Sequence, residues 1–142
     1  MALPCLEAPP AGLLKGIEEF NRGAFYECHD TLEALWIAES RPVRQLYQGI
    51  LQVAVAFYHL RAGRFRPVVT LLTRGSKYLE PFAPACMGVN VAGVLRGAAR
   101  CLAQVQALGA ERLHEFDWSL VPEIGMASCQ PGELAELAGG KS

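Results

Sequence analysis

Apolar positions recur at helical spacing along most of the chain. Leu13, Leu14, Ile17 and Phe20 form a first short stripe after Pro9 and Pro10, residues suited to an opening turn. Gly23 interrupts the pattern, and a second helix is expected from about Phe25 to Glu39, stopping near Pro42. The third runs from about Val43 to Ala62 and is apolar around most of its circumference, as the central helix of a bundle should be. Gly63 closes it. A fourth helix opens near Pro67 and places Val68, Leu71, Leu72, Gly75 and Tyr78 on one face.

Pro81 and Pro84 then break the chain, and Asn90 reads as the N-cap of a fifth helix. Its inner face is Val91, Val94, Leu95, Ala98, Cys101, Leu102, Val105 and Leu108, with Gly109 just past its end. Gly93 and Gly97 lower helix propensity and predict a close helix contact. From Met126 the sequence is small, polar and aperiodic. Residues 126–142 are expected to form a peripheral, loosely ordered tail, with at most a short helical turn near Leu134.

These patterns predict an all-α fold: a single compact bundle of about five helices over residues 1–125. Two αα-hairpins and a further helix build it, with helix three central. An internal echo supports the hairpins, because "RGAF" around Gly23 returns as "AGRF" around Gly63 at both proposed helix–helix turns. A repeat solenoid would need at least three such units, so a closed bundle is the better reading.

Composition narrows the function classes. Hydrophobic residues make up 51% and charged residues 19% of the 142, which suits one packed domain rather than a disordered chain. Thirteen basic and 14 acidic side chains nearly cancel, to −1, and that balance speaks against nucleic acid as a partner. The longest apolar stretch, Leu46 to Leu60, carries Gln48, Gln52 and His59 and is shorter than the roughly 20 residues of a membrane span. No membrane association is expected. Five cysteines without a CxxC pair suggest neither a disulfide framework nor a zinc ribbon, so a reducing, cytoplasmic setting is expected. So much apolar sequence in a small domain leaves scope for an exposed apolar face, hence a protein partner or a homo-oligomer.

The chemistry concentrates in "FYECHDTLEALW", Phe25 to Trp36. At about 100° per residue, Phe25, Cys28, Leu32, Leu35 and Trp36 form the apolar stripe, with His29 inside it and Glu33 on its margin. On helix three, Gln48, Gln52 and His59 share one strip. If the two helices pack together, His29, Glu33, Gln48, Gln52 and His59 converge into a buried polar cluster. Three readings stay open. The groups satisfy one another structurally; His29, Glu33 and His59 hold a divalent metal; or a small ligand binds without a metal. The chain is therefore either a binding or interaction module with a structural seam, or a small metal-dependent or ligand-processing enzyme using that seam.

Other motifs add little. "HDTLE" lacks the second His of a zincin helix, and "ERLH" (Glu111 to His114) is a single ExxH unit where di-iron bundles need two. Cys28 points about 100° away from His29, against a nucleophilic dyad. Arg61, Arg64 and Arg66 cluster at one helix turn, and Arg41 and Arg44 at the previous one. They serve helix C-termini or form a patch for an anion or acidic partner.

The same segments carry a family resemblance. "FNRGAFYECHDTLEALW" and "YQGILQVAVAFYH" resemble a bacterial and archaeal all-α family known only as domain of unknown function 309. Phe20, Asn21, Gly23, Phe25, Glu27, His29, Glu33 and Trp36 match its first segment, with Asp30 in place of a Glu. Gln48, Gly49, Gln52, Ala54, Ala56, Tyr58 and His59 match its second. The resemblance implies a helical bundle centred on helices two and three, and no particular activity.

Overall fold

Two glycines set the hairpins of the bundle. Gly23 and Gly63 adopt φ of 80° and 76°, a left-handed conformation that costs other residues energy. Each follows a helix end, with matching hydrogen bonds: Gly23 N–H to Phe20 O and Ala24 N–H to Glu19 O, Gly63 N–H to Leu60 O and Arg64 N–H to His59 O. The "RGAF" and "AGRF" echo is thus one C-terminal capping motif used twice.

The computed structural model describes residues 3–127. Five α-helices follow one another: α1 (Ala11–Asn21), α2 (Phe25–Ala38), α3 (Arg44–Arg61), α4 (Phe65–Leu79) and α5 (Val91–Leu108). The all-α bundle expected from the periodicity is what forms. α4 opens two residues before Pro67, which sits in the first turn where its missing N–H has no partner to lose. Asn90 caps α5 as expected, its side chain accepting from Gly93 N–H at 3.0 Å.

α3 is central. It packs most extensively on α4 and α2, while α1 covers α2 and α5 covers α4. At the α1–α2–α3 junction Phe20, Phe25 and Phe57 meet with centroids 5.3 to 6.0 Å apart. On the other side α3 and α4 approach backbone to backbone. A Cβ on Gly49 would lie 2.6 Å from Leu79 and 3.1 Å from the Gly75 carbonyl. The close helix contact expected at Gly93 and Gly97 is therefore at Gly49 and Gly75. Gly97 instead makes room for Pro122, 2.4 Å from its would-be Cβ, and Gly93 faces the Asn90 cap.

The α4–α5 connection holds a feature absent from the helical reading. Two-residue strands β1 (Ala85–Cys86) and β2 (Val89–Asn90) pair antiparallel about Met87 and Gly88, both at positive φ, as tight hairpins demand. Ala127 N–H donates to Gly88 O at 2.7 Å, and Met126 bridges to Val89. The rest of the expected tail, with the turn near Leu134, lies outside the described residues.

This ribbon also corrects the cysteine reading. Cys86 is bonded to Cys5, 81 residues away in sequence, and Met87 N–H donates to Cys5 O. Spacing gave no hint of this pair, because only the fold brings the N-terminus onto the ribbon. The cysteine pattern is thereby no argument for a reducing compartment. No helix among the described residues is long and apolar enough to cross a membrane.

Gly49→Val should lower stability by about 1–3 kcal/mol in urea unfolding, since an added side chain must push two backbones apart. Cys86→Ser should cost about 2–4 kcal/mol under oxidising conditions by releasing a long closed loop, and less under reducing conditions, where only the buried hydroxyl counts.

Candidate functional site

α2 lies between α1 and α3, so its apolar stripe is covered in the middle and open at its edge. Phe25, Cys28 and Leu32 are buried, whereas Leu35, Trp36 and His29 are half-buried. The Glu33 side chain is 51% exposed and the His29 side chain 28%, which corrects the expectation of a buried seam. A helical wheel treats the helix as facing one core; here His29 falls at the outer margin of the α3 contact.

At that margin His29 and His59 line one shallow dimple of about 100 Å³, completed by Phe25, Tyr26, Val55 and Tyr58. Its rings form a connected set. Tyr26 stacks on His29 with centroids 6.1 Å apart, Tyr26 meets Tyr58 at 5.7 Å, and Tyr58 meets His59 at 5.7 Å. Tyr26 is 56% and Tyr58 38% exposed, so two aromatic side chains stand in water around two imidazoles.

The glutamines do not join them. Gln52 is buried against α4, its Cβ 3.3 Å from where a Gly75 side chain would begin, and its Oε1 has no hydrogen-bond partner. Gln48 is half-buried, and among the described residues no hydrogen bond ties it to either histidine. The predicted single cluster thus divides: His29, Glu33 and His59 lie on the α2–α3 side, and Gln52 on the α4 side.

Each histidine has its own polar partner. His29 Nδ1 lies 3.1 Å from Asp30 Oδ1 and its Nε2 4.0 Å from Glu33 Oε2. His29, Asp30 and Glu33 can each offer one ligand atom within 4.8 Å of the others. His59 stands apart from that trio. Its Nδ1 lies 3.2 Å from an Arg64 nitrogen. A guanidinium can only donate, so His59 accepts at Nδ1 and carries its proton at Nε2. Burial, and then the Arg64 charge, push the His59 pKa below the ordinary histidine value.

Most other residues of the motif are used in packing. Asn21 holds the C-terminal segment by a reciprocal pair, accepting from Ile124 N–H at 2.7 Å and donating to Ile124 O at 3.1 Å. Trp36 lies under the Arg44 guanidinium, 3.9 Å from the ring centroid, and Arg44 also donates to Trp36 O at the end of α2. Cys28 is buried, and burial followed by the Glu19 charge pushes its thiol up to about 12, so it offers no thiolate. His114 is exposed beside Glu115, as a solvated ExxH should be.

The sequence reading missed Glu19 and Tyr26. Glu19 is buried on α1 with one carboxylate oxygen unpartnered, yet "EE" after an apolar stripe reads as a solvated face. Tyr26 follows Phe25 off the stripe, and only its stacking on His29 marks it.

Residues 13–71 match the family model described as Domain of unknown function (DUF309). The chain resembles that family from α1 to the middle of α4, the segment that contains the dimple and both histidines. No curated protein matches the chain.

The depressed His59 pKa carries a sign. Above the ordinary histidine pKa of about 6.5, folded and unfolded states both hold neutral imidazole and His59 contributes no pH dependence. Below it the unfolded chain takes up the proton first, so stability falls until pH drops through the folded pKa. His59→Gln should flatten the decline between pH 7 and 5 in denaturant titrations; an unchanged slope would assign the decline to other groups.

Proposed function

We propose that this chain is a binding module, and that its contact site is the aromatic dimple between α2 and α3. The observation that carries this reading is the set of motif residues that packing leaves unused. Gly23, Phe25, Gly49, Ala54 and Ala56 build turns and core, whereas Glu27, Glu33 and Tyr58 are exposed and His29 and His59 line the dimple. Size supports a contact site over an enzyme pocket. At about 100 Å³ the dimple is well below the roughly 300–1,000 Å³ of small-molecule sites. It has room for a side chain of a protein partner or of a second copy of this chain. Exposed tyrosines suit that role, offering wide contact area with a polar tip.

A second reading rests on the His29, Asp30 and Glu33 trio, whose donor types suit a divalent cation. All three are on one helix and open to water, which supports weak binding. His59 is no longer an attractive fourth ligand, because its Nδ1 faces a guanidinium.

A photo-crosslinking residue at Tyr58 should trap one discrete adduct, a partner or a second copy, that a crosslinker at Glu111 does not trap. Tyr26→Ala should abolish the adduct while leaving the melting temperature within a few degrees. No adduct, or the same adduct from both positions, would defeat the module. For the metal reading, calorimetric titration with Zn²⁺ should show uptake that His29→Ala removes and that His59→Ala and His114→Ala preserve; silent wild-type titrations would end it.

A further inference from the structure

The near-zero net charge conceals a sharp segregation along the chain. Residues 1–40 carry seven acids against Lys15 and Arg22. From Arg41 to Ala110 there are nine cations and a single acid, Glu80. From Glu111 onward six acids again outnumber Arg112 and Lys141. In the fold α1 packs on α2, while the acid-free helices α4 and α5 pack on each other. Neither α4 nor α5 contains an Asp or Glu.

The cations of α4 and α5 are outward. On α4, Arg66, Arg74 and Lys77 are exposed together with Thr70 and Thr73, opposite buried Val68, Leu72, Gly75 and Leu79. At about 100° per residue these three cations fall within about 80° of one another, so they form one stripe. At about 1.5 Å per residue the stripe runs for roughly 16 Å. On α5, Arg96 and Arg100 are exposed one turn apart, opposite buried Val94, Gly97, Ala98 and Cys101. Among the described residues none of these five cations takes part in an ion pair. Arg41, Arg112 and Arg22, by contrast, are each paired with a glutamate.

We infer that the α4–α5 face is a docking surface for the phosphodiester backbone of nucleic acid, held without sequence preference. Four of the five cations are arginines, whose planar fork matches phosphate oxygens, and the threonines between them can donate to the same groups. The face lacks what a protein partner would use. The large exposed hydrophobic side chains, Leu6, Leu14, Tyr26, Ile37, Tyr58 and Trp118, all lie outside α4 and α5. A polar, cationic surface without an apolar centre gives a protein interface nothing to desolvate. It suits a polyanion bound by counterion release. Whole-chain charge speaks against this partner because it averages acidic and basic segments of the chain.

The test is fluorescence anisotropy with a labelled 20-base-pair DNA duplex of arbitrary sequence, at 50 and 200 mM NaCl. Five phosphate contacts predict an affinity loss of a few hundred-fold across that range. The Arg74→Gln, Arg96→Gln, Arg100→Gln triple variant should bind at least tenfold more weakly, with a salt slope smaller by about 3. Should that variant melt early, Arg66→Gln with Lys77→Gln on α4 alone applies the same test with a slope change of about 2. Absence of binding at 50 mM, wild-type affinity in a folded variant, or equal affinity for polyglutamate would each overturn the proposal, the last in favour of an acidic protein.

Discussion

The structure depends on one constraint: α3 has no wide polar face to give to water. Most of its length, from Leu46 to Leu60, is buried, with Val55, Tyr58 and His59 along its open side. An isolated helix with that surface would aggregate, so it must be covered on several sides at once. The hairpin partners α2 and α4 do this, and each is covered in turn by α1 or α5. Closeness is bought on the α4 side with glycine against glycine, and on the α2 side with three phenylalanines.

That arrangement explains where polar groups come to rest. α3 is sealed where it meets α4, and Gln52 is caught there with an unpartnered oxygen. It is less completely covered along the α2 seam, and there His59, Tyr58 and His29 reach the surface. Along α3, polar side chains therefore reach the surface on the α2 side. Glu19 and the indole nitrogen of Trp36, like Gln52 Oε1, are buried polar atoms without hydrogen-bond partners, each a cost of the order of 1–3 kcal/mol that packing must offset.

The two proposed surfaces have different physical characters. The α2–α3 dimple is aromatic, with carboxylates close by. The α4–α5 face is cationic, threonine-bearing and without large apolar groups. With α3 between them they are separate, so a partner at one need not displace a partner at the other.

Helix periods, both capping glycines, the Asn90 cap and the central place of α3 were legible in the sequence. Each is a local property, or a count of apolar positions around one helix, and needs no knowledge of neighbours. The nearness of His29 to His59 was legible too, since helical spacing and the order of adjacent helices place them on facing strips. Tertiary structure alone decided the rest. It paired Cys5 with Cys86, docked Pro122 on Gly97, brought Ile124 to Asn21 and turned Gln52 towards α4. These outcomes join residues far apart in sequence or depend on which sector of a helix a neighbour leaves open. A periodicity records that a face is apolar, and not how far the covering helix extends across it.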